Sequence, residues 1–523
     1  MSKHSNLDFA VPARHRADSQ RSSAYRRDVQ VTLGRFLTRR KQARAGLSLL
    51  LALSLSACAV GPDYTPPVMQ LPESWNSAGA NAKAPRPSEW WRGFRDPQLN
   101  ALVETAIAGN LEVAQAKARI REARAAREQA VGALFPQVDA GASGTRSRVA
   151  GVTRNSFRAG FDSSWEIDLF GAQDRAVEAA TYGTDAAFDD LDGVMLTLIG
   201  DVASTYVEAR GLQARIVLAR STARTQRETE ALTRTRFQAG DISAIDTNRA
   251  TAQAASTEAQ IPALETALAQ SQHRLAVLTG RPPAAMVPPL KPGAAVPSPP
   301  APPRAGIPAD VLRRRPDVRA AERLLAQATA RIGQAEAARY PSVSLTGSIS
   351  TSALKLGDLA KNSAIGWSIG PSLSVPIFNG GELAAAVDAA RARRDQSDAT
   401  LRLAVLTALQ DVEDGLVGLR QEKLRLARLS EAAAANAEAA RLSRALYTSG
   451  NASFLDVLDS ERSLYSSQEA QIQSRVALAT QFIALNKALG GGWLKPVDVS
   501  TPAVIDGQTG PRLRIIPIEE PQP

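Results

Sequence analysis

Two hydrophobic patterns alternate along this chain. Residues 137–170 and 342–377 alternate apolar and polar positions with a period of two, which predicts two antiparallel β-hairpins. Each stretch is followed by a long segment without proline, in which apolar residues recur every three or four positions. That spacing predicts helices. The pattern therefore predicts a hairpin and a long helix, followed by a second hairpin and a second long helix.

The first predicted hairpin places its apolar and charged residues on opposite faces. Phe157 and Phe161 belong to one face, and Asp162, Glu166 and Asp168 belong to the other. Membrane β-barrels need strands of about ten residues that are apolar outside and polar inside. On this hypothesis the three acids face a lumen, where they would favour cations or simply be solvated, and solvation is the preferred interpretation. An amphipathic sheet packed on a soluble core is the alternative.

The helical segments are unusually long. The first predicted helix covers 172–237, about 100 Å at 1.5 Å per residue, and the second covers 381–447. Their apolar positions step by four and three, the spacing of a coiled-coil seam. The first seam consists of Leu191, Met195, Leu198, Val202, Thr205, Ala209, Leu212, Ile216 and Ala219.

The helix ends reveal an internal repeat. LTRTRFQAGDISAIDTNRA, from Leu232, reappears 210 positions later as LSRALYTSGNASFLDVLDS, from Leu442. Gly240 and Gly450 occupy equivalent positions in the two copies. Each glycine predicts a turn, here called a tip turn, that ends the long helix before it. Return helices are expected at 243–279 and 453–489. The chain therefore holds two structural repeats, 99–280 and 308–492, joined by a proline-rich linker at 281–307 that can form neither helix nor strand.

The beginning of the chain resembles a lipoprotein signal. A basic stretch and a short apolar stretch precede Leu55-Ser56-Ala57-Cys58, which predicts a signal peptide over residues 1–57. Cys58, the only cysteine of the chain, is then the lipidation site and carries N-palmitoyl and S-diacylglycerol groups. Residues 58–98 predict a lipidated Pro/Trp-rich arm that docks through Trp75, Trp90, Trp91 and Phe94. Residues 493–523 form a C-terminal tail.

Charge and composition exclude several functions. Residues 1–57 contain eleven lysines and arginines and three aspartates, a net of +8 within the total of +10, so the remaining chain carries only +2. This balance gives no support to nucleic-acid binding. After the signal only His273 is left as a histidine, and no glycine-rich phosphate loop is present. We therefore expect neither an enzyme nor a metal or other cofactor, apart from the lipid on Cys58.

The pattern predicts an assembly. Each chain supplies four strands, which are too few to close a barrel, and an open edge is not tolerated in lipid. Identical copies must complete the wall in a symmetric ring. The expected fold class is therefore an α+β membrane protein. It combines an oligomeric β-barrel in the outer membrane with a long periplasmic α-helical coiled-coil barrel.

Three motifs stand out after the signal: Gly61-Pro62-Asp63-Tyr64 shortly after Cys58, Asp96-Pro97, and the segment 307–347 with Arg315-Pro316-Asp317 at its core. With these motifs the chain resembles the outer-membrane factor family, the TolC-like channels, and most of all the NodT-class lipoproteins that serve RND-type pumps. The resemblance implies a homotrimer with twelve strands in total. It also implies a periplasmic adaptor (membrane fusion protein) and an inner-membrane RND pump as partners, and outer-membrane lipid as surroundings.

The same resemblance implies a periplasmic gate at the second tip. The gate candidates are Leu455, Asp456, Asp459 and Arg462. Asp456 aligns with Asp246 of the first repeat, so it serves either the gate or the first turn of the return helix. Asp459 aligns with Arg249, and this asymmetry favours a function at the gate. Arg462 could bridge the carboxylates of neighbouring subunits.

The expected function is an outer-membrane channel of a tripartite efflux system, a passive exit duct for small molecules such as drugs, toxic compounds or metals. A type I secretion channel and a periplasmic lipoprotein scaffold without a pore are the alternatives. The sequence names neither the cargo nor the cognate adaptor.

Overall fold

The computed structural model describes most of the two predicted repeats and parts of the flanking segments. The described residues are 59–76, 89–283, 290, 295–301, 306–492 and 497–500. Cys58 and the signal segment lie outside them, as do most of the linker and nearly all of the C-terminal tail.

Eight α-helices are present in the described part of the chain. They are α1 (Pro97–Gly109), α2 (Leu111–Gly132), α3 (Ala172–Gln238), α4 (Ala244–Leu278), α5 (Pro308–Leu312), α6 (Pro316–Ala337), α7 (Glu382–Thr448) and α8 (Phe454–Ala488). Both long helices, α3 and α7, contain 67 residues, and both return helices, α4 and α8, contain 35. The equal lengths reflect the internal repeat of the sequence. Pro262 lies inside α4 without ending it.

Four strands form one antiparallel sheet in the order β1-β2-β3-β4, so each strand pairs with its neighbours in the chain. The strands are β1 (Gln137–Val149), β2 (Val152–Ile167), β3 (Ser342–Ala353) and β4 (Ile365–Ser374). The pair β2·β3 joins the two repeats, with Asp162 opposite Ser348. Within the described residues β1 and β4 are the edges of the sheet.

The chain divides into two compact units, each assembled from three separated segments. Among the described residues, the first unit comprises 59–71, 123–185 and 321–401 and contains the whole sheet. Its apolar sheet face is open in the single chain: Trp367, Ile369 and Leu373 of β4 are 76%, 67% and 66% exposed. Since a large exposed apolar surface marks a contact with lipid or protein, this face is a candidate for such a contact.

The second unit consists of the described residues within 72–122, 186–320 and 402–500, and it holds the main hydrophobic core. All nine positions of the predicted first seam, from Leu191 to Ala219, are buried. The four aromatic residues of the predicted arm, Trp75, Trp90, Trp91 and Phe94, are buried as well. The indole of Trp90 donates to the carbonyl of Gly491 at 3.3 Å, and its ring packs edge-on against Phe482.

Candidate functional site

The two tip turns have the same backbone geometry. Gly240 and Gly450 have φ angles of 81° and 80°, in the left-handed region that glycine adopts without strain. The amide of Asp241 donates to the carbonyl of Arg236, and the amide of Asn451 donates to that of Leu446. These bonds form a Schellman motif at each tip, which satisfies carbonyls at the end of each long helix.

The return helices begin differently. Ser453 and Asp456 form a capping box, in which the hydroxyl of Ser453 accepts from the amide of Asp456 and the carboxylate of Asp456 accepts from the amide of Ser453. The hydroxyl of Ser453 also donates to the carboxylate of Asp456 at 2.7 Å, and this hydrogen bond, together with the one from the amide of Ser453, lowers the pKa of Asp456. In α4 the hydroxyl of Ser243 accepts from the amide of Ile245 instead. Asp456 therefore has a structural task at the start of α8.

The four gate candidates lie on the exposed face of the first turns of α8. Leu455 is 45% exposed, and Asp456, Asp459 and Arg462 are exposed too. The intervening residues Phe454, Val457, Leu458 and Glu461 are buried. The guanidinium of Arg462 donates to the side-chain oxygen of Gln253 in α4 at 2.6 Å. The structure thus brings the candidates to one surface and gives Arg462 a partner within its own chain.

Two buried glutamates near the tips were not singled out by the sequence. Glu461 of α8 accepts from Arg444 of α7 at 2.7 Å and from the hydroxyl of Thr229 of α3 at 3.4 Å. Glu230 of α3 pairs with Arg227 at 2.6 Å and with Arg234 at 2.9 Å. Hydrogen bonds from Arg227 and then Thr251 lower the pKa of Glu230.

The repeat register could have revealed these glutamates. Arg234 and Arg444 occupy equivalent positions 210 residues apart, but their carboxylate partners come from different helices. In the first repeat the acid lies four residues earlier on the same helix, and in the second it lies on the return helix. Arg444 thus pairs directly with the return helix, whereas in the first repeat that link is made by Arg227, which pairs with both Glu230 of α3 and Glu258 of α4.

The polar face of the sheet lies in the first unit. Asp162 and Glu166 are exposed on β2, as the alternation predicts for a solvated face. Asp139 of β1 lies directly opposite Asp162, and Ser348 and Ser368 continue this row across the sheet. Like charges directly opposite each other destabilise a sheet unless water surrounds them. The alternation in β1 is too weak to have indicated Asp139 from the sequence.

Asp168 differs from the other two predicted lumen acids. It follows β2, which ends at Ile167. Its carboxylate accepts from the amide of Asp174 at 2.8 Å, near the start of α3. This contact links the end of the sheet to the first turn of the long helix within the first unit.

The Arg315-Pro316-Asp317 motif forms an ion-pair cluster around the buried Arg315 at the start of α6. The side chain of Arg315 is 10% exposed and donates to both oxygens of Asp317, at 3.0 and 2.7 Å, and to Asp411 at 2.9 Å. Burial alone would lower the pKa of Arg315, but its bonds with Asp317 and Asp411 raise it. A planar guanidinium is required for this two-sided contact. The cluster joins α6 to α7 inside the second unit.

No group of three or more metal-ligating side chains is found among the described residues. Across the same residues no helix combines the length and the apolar character that a bilayer crossing demands.

A four-stranded sheet with an exposed apolar face, joined to two pairs of long helices, is the chain architecture of an outer-membrane channel. The sequence model of the outer membrane efflux protein family matches residues 102–281 and 307–491. The chain therefore belongs to that family. It is a component of an efflux channel in the outer membrane, not an enzyme.

Relatives support this assignment over nearly the whole chain. Nodulation protein T of Rhizobium leguminosarum bv. trifolii is 37% identical over 453 residues, which cover 84% of this chain and 96% of that protein. The pyoverdine export outer membrane protein OpmQ of Pseudomonas aeruginosa is 32% identical over 466 residues, 86% of this chain and 97% of its own. The solved outer-membrane channel OprN is 34% identical with a TM-score of 0.77, and the match covers 83% of this chain and all of OprN.

Proposed function

We propose that three copies of this chain form one closed conduit, the exit duct of a tripartite efflux system. The open edges of the sheet support this proposal most directly. Strands β1 and β4 end the sheet within the described chain, and in a bilayer their free backbone groups need partners. Three four-stranded sheets joined edge to edge give a twelve-stranded barrel with the apolar residues outward.

In this proposal the duct catalyses no reaction and only conducts the cargo. An inner-membrane RND pump selects the cargo, a periplasmic adaptor connects the pump to the helical tips, and the barrel releases the cargo outside. Relatives of this chain are named for the export of pyoverdine and for the efflux of toluene and antibiotics. Such different cargoes agree with a duct that does not select, and we therefore propose small molecules in general as the substrate class.

Two measurements on the purified protein test the conduit. Cross-linking in detergent should give a trimer, and insertion into a planar bilayer should give single-channel conductance. A monomer without conductance would support the scaffold alternative and refute the proposal. In cells, deletion of the gene should raise sensitivity to small toxic compounds, whereas loss of a secreted protein alone would favour type I secretion.

We also propose that Leu455, Asp456, Asp459 and Arg462 line the periplasmic gate. Three copies of Asp459 around one axis would repel each other, and Arg462 could bridge them. Asp459→Ala should then raise single-channel conductance. Arg249→Ala at the aligned position of α4 is the matched control and should leave conductance unchanged. Unchanged conductance in both Asp459→Ala and Arg462→Ala would contradict the gate.

The polar sheet face leads to a proposal about ion selectivity. In a trimer, Asp139 and Asp162 would place six carboxylates at one level of the lumen, with Glu166 and Asp168 nearer the helices. A reversal potential in a KCl gradient should show a preference for cations, and Asp162→Asn should reduce it. An unchanged potential would mean that these acids merely solvate a wide pore.

Acylation of Cys58 is proposed as the membrane anchor. Its experiment is mass spectrometry of the N-terminal peptide, which should carry the diacylglycerol and acyl groups. Cys58→Ser should remove them. An unmodified wild-type cysteine would refute the anchor while leaving the conduit untouched.

A further inference from the structure

The Gly61-Pro62-Asp63-Tyr64 motif belongs to neither the sheet nor the long helices of the proposed conduit, yet it contacts both α3 and α6 in the first unit. The amide of Val60 donates to the carbonyl of Phe170 at 3.1 Å, just before α3 begins. Ala59 packs directly on Gly171. The motif is therefore bound where the sheet ends and the long helix starts.

Arg175 is the centre of these contacts. Its side chain is only 5% exposed, although it lies on the first turn of α3. The guanidinium donates to the carbonyls of Val60 and Gly61 at 3.4 and 3.3 Å and to the carboxylate of Asp63 at 2.7 Å. Glu178 accepts its remaining strong hydrogen bond at 2.7 Å. The side chain of Arg175 thus binds three residues of the arm, Val60, Gly61 and Asp63.

Close packing on α6 completes the site. Gly61 has a φ of 93° and lies against Gly333 of α6, so that a Cβ atom on Gly61 would overlap the backbone of Gly333. A Cβ atom on Gly333 would lie 2.9 Å from both the Nε atom of Arg175 and the carbonyl oxygen of Val60. The arm can take this position only because both residues lack side chains.

Tyr64, which follows Asp63 in the chain, makes a separate contact that does not involve Arg175. Its hydroxyl donates to the carboxylate of Glu322 in α6 at 3.3 Å, and its ring packs edge-on against Tyr182 of α3. Glu322 is 8% exposed. A buried carboxylate without a hydrogen-bond donor would be costly, so the arm satisfies a group that the body of the protein leaves buried.

We propose that these residues form an anchor clamp, a binding site on the folded body for the segment 59–64, with Arg175 as its positioning residue. The clamp can position a lipid anchor only if Cys58 is acylated, as proposed above. Since Cys58 directly precedes the clamped segment, its acyl chains leave the body beside the junction of β2 and α3. The clamp fixes the distance between the lipid anchor and the sheet. It therefore sets the depth at which the sheet enters the bilayer.

Hydrogen–deuterium exchange on the full-length protein in membranes tests the clamp. In the wild type the peptide that covers residues 59–71 should exchange slowly. Arg175→Ala should speed its exchange by about tenfold or more, because several charge-assisted hydrogen bonds are lost together. Asp63→Asn removes only one of them and should have a smaller effect. Lys361→Ala removes another ion pair of the same unit, with Asp358 between β3 and β4, and should leave the arm unchanged.

Gly333→Ala provides a second test that does not weaken α6, because alanine forms helices better than glycine. It should release the arm while the exchange of α3 and α6 stays at the wild-type level. Wild-type exchange of the arm in both Arg175→Ala and Gly333→Ala would overturn the proposal. Simultaneous opening of α3 and α6 with the arm would overturn it too, because Arg175 would then be an ordinary core residue.

Cys58→Ser separates the clamp from the anchor. The clamp predicts slow exchange of residues 59–71 even without acyl groups. Fast exchange in Cys58→Ser, together with slow exchange in Arg175→Ala, would show that lipid and not the clamp holds the arm. Absence of acyl groups on the wild-type chain would refute the anchor alone, since the exchange experiment does not depend on it.

Discussion

The two helical tips share a backbone but differ in their electrostatics. Gly240 and Gly450 make the same turn, yet the buried acid lies on the outgoing helix in the first tip and on the return helix in the second. The ion pair of Glu230 with Arg234 stays within α3, whereas that of Glu461 with Arg444 joins α7 to α8. In the first repeat the link to the return helix is made by Arg227 with Glu258 instead. Duplicated halves can therefore keep one geometry and still join their helices through ion pairs at different positions.

The largest difference is expected when the equivalent arginines are removed. Among the described residues, Arg444→Ala leaves the buried Glu461 with the weak contact to Thr229, and breaking a buried pair in this way costs about 3 kcal/mol. Arg234→Ala should cost about 1 kcal/mol or less, because Glu230 retains Arg227 and Thr251. The local free energy of opening from hydrogen exchange of each tip provides the measurement. Equal losses of opening free energy at the two tips would contradict the proposed difference between the two arginines.

The turn glycines should behave alike. A Cβ atom on Gly240 or Gly450 meets nothing within 4 Å, so only the left-handed backbone opposes a side chain. Gly240→Ala and Gly450→Ala should each destabilise their own tip by about 1–2 kcal/mol. Thermal unfolding of peptides or exchange of the intact protein can measure both. A large difference between the two variants would show that something other than backbone strain acts at one tip.

The caps distinguish the tips again, with a smaller effect. Ser453→Ala removes one half of a capping box and should cost about 1 kcal/mol in the first turn of α8. Ser243→Ala removes a single hydrogen bond to Ile245 and should cost less. Amide exchange of the first turns of α8 and α4 compares them directly. A larger loss in α4 would mean that the capping box contributes nothing beyond the hydroxyl.

The smallest effect concerns pH at the second tip. The folded-state pKa of Asp456 lies below its ordinary value of 3.8, because Ser453 donates to the carboxylate. A lowered acid pKa contributes stability above the unfolded-state value, and this contribution is lost as the pH falls through the folded-state pKa. Protection of the first turn of α8 should therefore be constant from neutral pH down to about 4 and decrease below it. In Asp456→Asn this decrease should be absent, and a decrease that persists would assign the titration to another group.

The regular elements followed from local patterns. The period-two stretches became β1 to β4, and the four-three seam from Leu191 to Ala219 is buried throughout. Such patterns suffice because a helix or a strand buries one face whatever the partner is. The glycines at 240 and 450 located the turns for a similar reason, since only a local backbone requirement is involved.

Contacts between residues far apart in the chain could not be predicted from local patterns. Asp139 faces Asp162, Glu461 meets Arg444, and Arg175 binds the arm that precedes it by more than a hundred residues. Each of these contacts depends on how distant elements pack. For Asp456 the sequence left a gate role and a structural role open, and the capping box supports the structural role while the gate role stays a proposal.

The sequence by itself determined the kinds of element, their order and the duplication, because hydrophobic period and turn chemistry act over a few residues. Only the tertiary structure decided which buried charge meets which partner and where the N-terminal arm is held. Such pairings depend on distances of about 3 Å between groups far apart in the chain, and no local pattern encodes them.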